Sequence, residues 1–309
     1  MSDSVVVALD FGTTNIGFAF PVFDYNKIYV YGIDGSKDRI SNTVLLNEHG
    51  ECKFLGDKAK RKYIKLTEND QHKNWYLFEG YKTTLHTTKR LTRDLCINDV
   101  LGRPKDAMII FREVIKYIKI KAEKILYDAF TDIEGTYIKW IITVPAIWSD
   151  SAKQFMREAG ESAGIPDKQL SFALEPEAAS LFCMEQPMVN VSCADTGATI
   201  VQLSHGEKYI LADLGGGTAD FSVHEILKDR NIREIHRAVG EIAGGINVTI
   251  AFEQLFIKLF GGPAWNKFKT GYVGEFLDLM ADFETKKREF EGFIHTQNDA
   301  FSNVSIRSL

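Results

Sequence analysis

The stretch ILADLGGGTADFSV, Ile210 to Val223, sets three consecutive glycines and a threonine between two aspartates inside an apolar run. Strand formers flank it on both sides, so it reads as strand, tight turn, strand. Glycines let a backbone approach a phosphate with no Cβ in the way, and the N–H groups of a tight turn converge on anionic oxygens. A carboxylate beside a phosphate repels it unless a hard cation such as Mg2+ lies between, with water completing the metal's shell. Asp213 therefore implies a metal as much as Gly215, Gly216 and Gly217 imply a phosphate.

The pattern occurs a second time near the N-terminus. VVVALDFGTTNIGFAF, Val5 to Phe20, again runs apolar strand, Asp, apolar residue, Gly, turn residues, apolar strand. Asp10 and Asp213 take matching positions, Gly12 stands for the glycine run, and the hydroxyls of Thr13, Thr14 and Thr218 add donors at the same place. Two related hairpins point to a nucleotide clamped between them. Neither loop completes a G-x-G-x-x-G leading into a helix, and no GxxxxGK[ST] stands at either, so dinucleotide-fingerprint and Walker-type readings are disfavoured.

Between the hairpins the pattern is α/β. AMIIFREVIKYIKIKAEKILYDAF, 107–130, places Ile110, Val114, Ile118, Ala122 and Ile125 at helical spacing. YIKWIITVPAIW, 137–148, predicts a mainly buried strand that stops at Pro145. SDSAKQFMREAGESAGI, 149–165, predicts a helix with Asp150 or Ser151 as N-cap and Gly164 as terminator. FALEPEAASLFCMEQ, 172–186, predicts a short strand entering a helix, with Pro176 at its start and Glu175 at the junction, where α/β folds place chemistry. The polar region 34–72, with strand candidates TVLLN and CKFLG, reads as a peripheral subdomain. Residues 187–206 mix strand formers and turn residues and mark the first lobe boundary.

Beyond the second hairpin, DFSVHEIL and REIHRAVG predict strands. AGGINVTIAFEQLFIKLFGG, 243–262, predicts a glycine turn and a helix whose Val248, Phe252, Leu255, Phe256 and Leu259 share an apolar side, read as core. VGEFLDLMADFETKKREFEG, 273–292, is a further amphipathic helix, and the tail from 295 shows no strong period.

Composition narrows the class. The 309 residues exceed the roughly 250 to 300 at which single cores stop growing, so two lobes are expected. A formal net charge of −5 without a lysine or arginine block argues against a general grip on nucleic acid or anionic lipid. Four cysteines with no CxxC pair read as reduced intracellular thiols, not a disulfide frame or zinc site. No run approaches the roughly 18 apolar residues of a membrane span, and the N-terminal apolar run is too short for a signal peptide, so a cytoplasmic protein is expected.

Taken together, DFGTTN, WIITVPAIWSDSAKQFMREAGESAGI with LEPEAAS, and DLGGGTAD resemble the actin-like ATPase superfamily, and most closely the nucleotide-binding domain of the 70-kilodalton heat-shock chaperones. The first is similar to that family's first phosphate motif, the second pair to its first connecting region, and the last to its second phosphate motif. EPEAAS, VPAIW and WYLFEGYKTTLH resemble the divergent heat shock 70 kDa protein 12 branch of the family. The resemblance implies an α/β actin-like ATPase (ribonuclease H-like) fold, two lobes with a duplicated βββαβα core, and ATP or ADP with Mg2+ in the cleft. Residues 1–187 would form the first lobe, with its peripheral subdomain at about 34–105. Residues 188–309 would form part of the second.

Carried over by position, Asp10 and Asp213 would hold the metal through water. Gly12, Thr13, Thr14, Asn15, Gly215, Gly216, Gly217 and Thr218 would line the phosphates. Glu175 would organise the metal's water shell and the attacking water, and Asp220 would stand near the ions. The family's phosphate-side lysine falls at Lys82 in FEGYKTTLH, with Lys89 in TTKRLTR as its rival. Gly244 and Gly245 either approach the nucleotide or form a simple helix-entry turn, and Asn15 stands where many relatives carry an aromatic residue.

The chain is expected to be an N-terminal fragment: it stops before the family's later adenosine motif and leaves no room for a peptide-binding domain. An ATP-binding, Mg-dependent, slowly hydrolysing chaperone-like protein is the expected function, with an unidentified protein partner or client. The alternatives are a non-catalytic nucleotide-regulated interaction or filament-type protein, and a small-molecule kinase on the same fold.

Overall fold

A computed structural model describes residues 4–21, 28–31, 39–88, 91–129, 137–185 and 204–289. Residues 187–203 of the expected boundary at 187–206, the tail from 290 and Lys89 lie outside them. β1 (Ser4–Phe11), β2 (Asn15–Pro21) and β3 (Ile28–Tyr31) form an antiparallel meander, with β4 (Ile40–Ser41) added to β2. β5 (Val44–Leu46), β6 (Cys52–Leu55) and β7 (Tyr76–Phe78) form a small antiparallel sheet, and α1 (Asp57–Thr67) connects the last two. The short α2 (Thr84–Thr87) and the hairpin β8 (Cys96–Asn98) and β9 (Pro104–Asp106) lead into α3 (Ala107–Ala129).

β10 (Tyr137–Val144), α4 (Asp150–Ser162), β11 (Leu170–Leu174) and α5 (Glu175–Glu185) complete the main sheet. Its strand order is β11-β10-β1-β2-β3, and β11, β10 and β1 run parallel. Parallel strands end at the same edge of a sheet, so Asp10, Thr143 and Glu175 arrive together at the carboxyl ends. β10 alternates as a half-covered strand does: Ile138, Trp140, Ile142 and Val144 are buried. They face Phe111 and Ile118 of α3 and Ala152 and Met156 of α4 within one continuous core.

The α4 cap departs from expectation. Ser149, not Asp150 or Ser151, is the N-cap: its backbone is still extended (φ −65, ψ 158) and its hydroxyl accepts from the Ala152 N–H at 3.2 Å. Asp150 is already in the first turn, where its charge meets the positive end of the helix dipole. Gly164 ends the helix with φ +86.

The second half is built from β12 (Lys208–Leu214), β13 (Ala219–Ile226) and β14 (Ile232–Glu241), a second antiparallel meander. α6 (Gly245–Phe260), α7 (Gly262–Gly271) and α8 (Val273–Glu289) follow. The two halves thus both begin as three antiparallel strands, and a helix follows directly only in the second. α6 does not turn its leucines into a core: Val248, Leu255 and Leu259 are 51%, 50% and 64% exposed. Phe252 and Phe256 are held instead by stacking on Phe283 and Trp265.

α1 and α7 are absent from the sequence-based expectation, and α1 joins the halves by packing on α8. Leu45, Ala59, Tyr63, Leu66 and Leu77 share a second buried core with Trp265, Val273, Phe276 and Leu277. Gly274 permits the approach of α8 to α1, since a Cβ there would lie 3.0 Å from Thr67 Oγ1. No helix among the described residues is long and apolar enough to cross a membrane.

Candidate functional site

The two hairpin loops have the same register. Four residues, Gly12 to Asn15, separate the paired Phe11 and Ile16, and four, Gly215 to Thr218, separate the paired Leu214 and Ala219. Asp10 and Asp213 each lie one pair back from the loop, opposite Gly17 and Asp220. The loops meet face to face. A Cβ on Gly217 would come within 2.8 Å of Thr13 Oγ1, and one on Gly216 would collide with the Thr14 side chain. Side chains at these positions are excluded by the opposing hairpin, so the glycine run reflects close approach of two loops. A phosphate chain enters between them only if they move apart.

β10 braces the first loop. Thr143 Oγ1 donates to Asp10 Oδ1 at 2.9 Å and accepts from the Phe11 N–H at 3.2 Å. The second loop is braced by α6: the N–H groups of Gly244, Gly245 and Ile246 donate to the carbonyls of Gly217, Gly215 and Gly216 at 3.3, 3.2 and 2.8 Å. Gly244 is buried under that loop, and a Cβ there would lie 2.6 Å from the carbonyl carbons of Gly216 and Gly217. Gly244 and Gly245 are therefore both the helix entry and part of the loop's support. Asn15 Nδ2 donates to Thr14 Oγ1 at 3.4 Å.

Lys82 is buried, 3% exposed, and its ammonium lies 2.6 Å from Glu175 Oε1 and 5.3 Å from the ring centre of Trp148. It is not a solvated surface lysine. Glu175, Asp213 and Asp220 line one small cavity of about 10 Å³ with Pro145, Ile147 and Phe221, room for a water molecule. Burial foremost raises the Glu175 carboxyl above its ordinary value, and Asp10 and Asp213 add to this, while the Lys82 ammonium opposes it. Burial likewise raises Asp213, followed by the charges of Asp220 and Asp10. Asp220 Oδ2 accepts from Thr218 Oγ1 at 2.7 Å, but its buried Oδ1 has no hydrogen-bond partner.

These carboxylates repel one another and are undercompensated. Among the described residues no three His, Cys, Asp or Glu side chains stand close enough to hold a metal ion together. Carboxylates at this looser spacing, one with an orphaned buried oxygen, suit a hard cation that keeps its water shell, which is how Mg2+ binds. Direct zinc-like ligation does not fit them.

Two cations escaped the sequence reading. Arg39 Nη2 lies 3.2 Å from Asp10 Oδ2. Lys287, from α8, donates to Gly245 O and to Thr249 Oγ1, both at 3.2 Å, and so stands beside the second loop's support. Neither belongs to a glycine motif, and only the packing of distant segments brings them here.

No family model matches the chain. Among curated proteins it is similar to heat shock 70 kDa protein 12A of Mus musculus, 35% identical over 92% of this chain and 50% of that protein. It is similar to heat shock 70 kDa protein 12B of Homo sapiens, 30% identical over 93% of this chain and 49% of that protein. It is also similar to chaperone protein DnaK of Ureaplasma urealyticum, 30% identical over 72% of this chain and 30% of that protein. The chain spans about half the length of the first two.

Proposed function

The chain belongs to the 70-kilodalton heat-shock protein family, fitting its divergent branch and the actin-like ATPase fold, and on that premise we propose that it binds Mg-ATP between its two hairpin loops and hydrolyses it slowly to ADP. Residues 1–187 and 188–309 are the two lobes in this reading, with the nucleotide between them. Gly12, Thr13, Thr14 and Asn15 of one loop and Gly215, Gly216, Gly217 and Thr218 of the other carry the phosphates. Gly244 and Gly245 hold the second loop in shape from behind. The observation that carries the reading is the identical register of two four-residue loops, each with an aspartate one pair back.

Asp10, Asp213 and Glu175 would hold Mg2+ through its waters, and Asp220 would orient that shell. The cation supplies charge neutralisation of the phosphates when bound. The residues themselves do the rest. Lys82 offsets phosphate charge, and Glu175, whose burial gives it a raised proton affinity, accepts the proton of an attacking water. Phosphoryl transfer asks mainly for positioning and electrostatics, so this set suffices in kind.

A second reading is favoured by the exposed apolar surface at Ile210 and Leu214 of β12 and Leu255 and Leu259 of α6. Such a surface suits a protein partner or client whose docking follows nucleotide state. A cytoplasmic location belongs to the same proposal. Phosphate release from Mg-ATP by the wild type and by Glu175→Gln tests hydrolysis. Glu175→Gln is expected to bind Mg-ATP but release phosphate about a hundredfold more slowly. Equal release by both proteins would remove Glu175 from the chemistry.

A further inference from the structure

We infer that Asn42 and Tyr81 are positioning residues that shape the first loop and tie it to the Lys82–Glu175 pair. The inference rests on the nucleotide reading for its consequence, but its geometry stands apart from it. Asn42 is 2% exposed and meets the loop twice. Its Nδ2 donates to Gly12 O at 2.7 Å, and its backbone N–H donates to Thr14 O at 2.7 Å.

A trans peptide points its carbonyl and its N–H in opposite directions. No cis peptide occurs among the described residues. Holding the carbonyls of Gly12 and Thr14 toward Asn42 therefore turns the N–H groups of Thr13 and Asn15 away from it. Those are the donors that an anion in this loop would meet. In the second loop three N–H groups at the start of α6 hold the carbonyls in the same manner. The helix that braces the second loop follows β14, whereas the first meander, β1 to β3, is followed by β4 and not by a helix. One buried asparagine stands where the other loop has a helix N-terminus.

An asparagine amide can do this only in one of its two flips. The Gly12 carbonyl, which only accepts, requires Nδ2 on its side, and the Tyr81 hydroxyl completes that flip by donating to Asn42 Oδ1. Burial keeps the Tyr81 hydroxyl protonated by raising it well above its ordinary value. Its ring is held edge-on by Phe11 and Phe111, at centroid distances of 6.3 and 5.2 Å. Tyr81 begins the single turn Tyr81–Thr83, entered through Gly80 at φ +61, and the next residue is Lys82. A displacement of the first loop thus reaches the Lys82 ammonium through two hydrogen bonds and one peptide. Neither Asn42 nor Tyr81 belongs to a glycine motif.

The test compares the full chain with Asn42→Ala and with Tyr81→Phe, which keeps the ring and loses only the hydroxyl. Amide hydrogen exchange over 12–15 is read without nucleotide, and binding of ATP, ADP and adenosine is read with Mg2+. Asn42→Ala is expected to speed exchange at Thr13 to Asn15 and to weaken ATP and ADP about tenfold each, with adenosine unchanged. Tyr81→Phe is expected to weaken ATP about threefold and to lower kcat more than it raises KM.

Exchange unchanged over 12–15 in both variants overturns the inference, as does exchange raised equally in the loop and in α3, which a merely structural role would give. Faster loop exchange with unaltered ATP affinity, in a wild type that binds ATP, also overturns it. A wild type that binds no nucleotide defeats the nucleotide reading instead, and the exchange comparison alone then decides whether Asn42 and Tyr81 shape the loop.

Discussion

Asp213, at the proposed nucleotide site, costs the fold stability. Burial first, and then Asp220 and Asp10, raise its carboxyl above the ordinary value. A group that holds its proton more tightly folded than unfolded gives its full stabilisation below the unfolded pKa and loses it as pH rises through the folded one. Ionised Asp213 therefore opposes folding at neutral pH. Asp213→Asn is expected to gain about 1 kcal/mol in urea unfolding at pH 7, a gain that fades as pH falls toward the carboxylate range. Equal stability at pH 7 would contradict the like-charge account. Asp10, Asp213 and the glycines were legible because their chemistry is local, a carboxylate one step from a bare turn. Asn42, Arg39 and Lys287 were not, because each acts on a loop more than twenty residues away in sequence or through a neighbouring element.

At the scale of elements, the hairpins were readable from strand formers interrupted by glycine, and α3 and α4 from helical spacing. α1 was not, since its lysine-rich run DKAKRKYIKLT shows only Ala59, Tyr63 and Leu66 as buried residues. α6 was readable as a helix but not as an exposed one, because periodicity reports which side is apolar and not whether anything covers it. The α1 and α8 contact carries a stability prediction. Phe276, 5% exposed in the joint core, should cost about 3 kcal/mol when changed to Ala. Leu259→Ala, at a position 64% exposed, should fall within about 0.5 kcal/mol of wild type. Chemical unfolding of the two variants checks the ranking, and the reverse order would contradict the core described here.

Across the whole molecule, the two halves meet in several places among the described residues. The hairpin loops meet at Thr13 and Gly217, the Ser180 hydroxyl of α5 lies 2.8 Å from His224 Nδ1 of β13, and α1 packs on α8. Burial lowers the His224 imidazole below its ordinary value, so this link is an uncharged one at neutral pH. A ligand held by both loops would part them at one end while α1 and α8 keep the outer ends together. The two hairpins were visible in the repeated pattern, whereas the third strand of the first meander and the outer core were not, since the core's residues come from segments about 200 positions apart that show no shared motif.

Calorimetric titration of Mg-ATP into the wild type, Asp10→Asn and Asp213→Asn tests the central claim, that one hydrated cation and its nucleotide are held by both hairpins at once. The account predicts that each substitution weakens Mg-ATP by at least about tenfold and that ATP without Mg2+ binds all three proteins alike. Binding of Mg-ATP with wild-type affinity by either variant would contradict it.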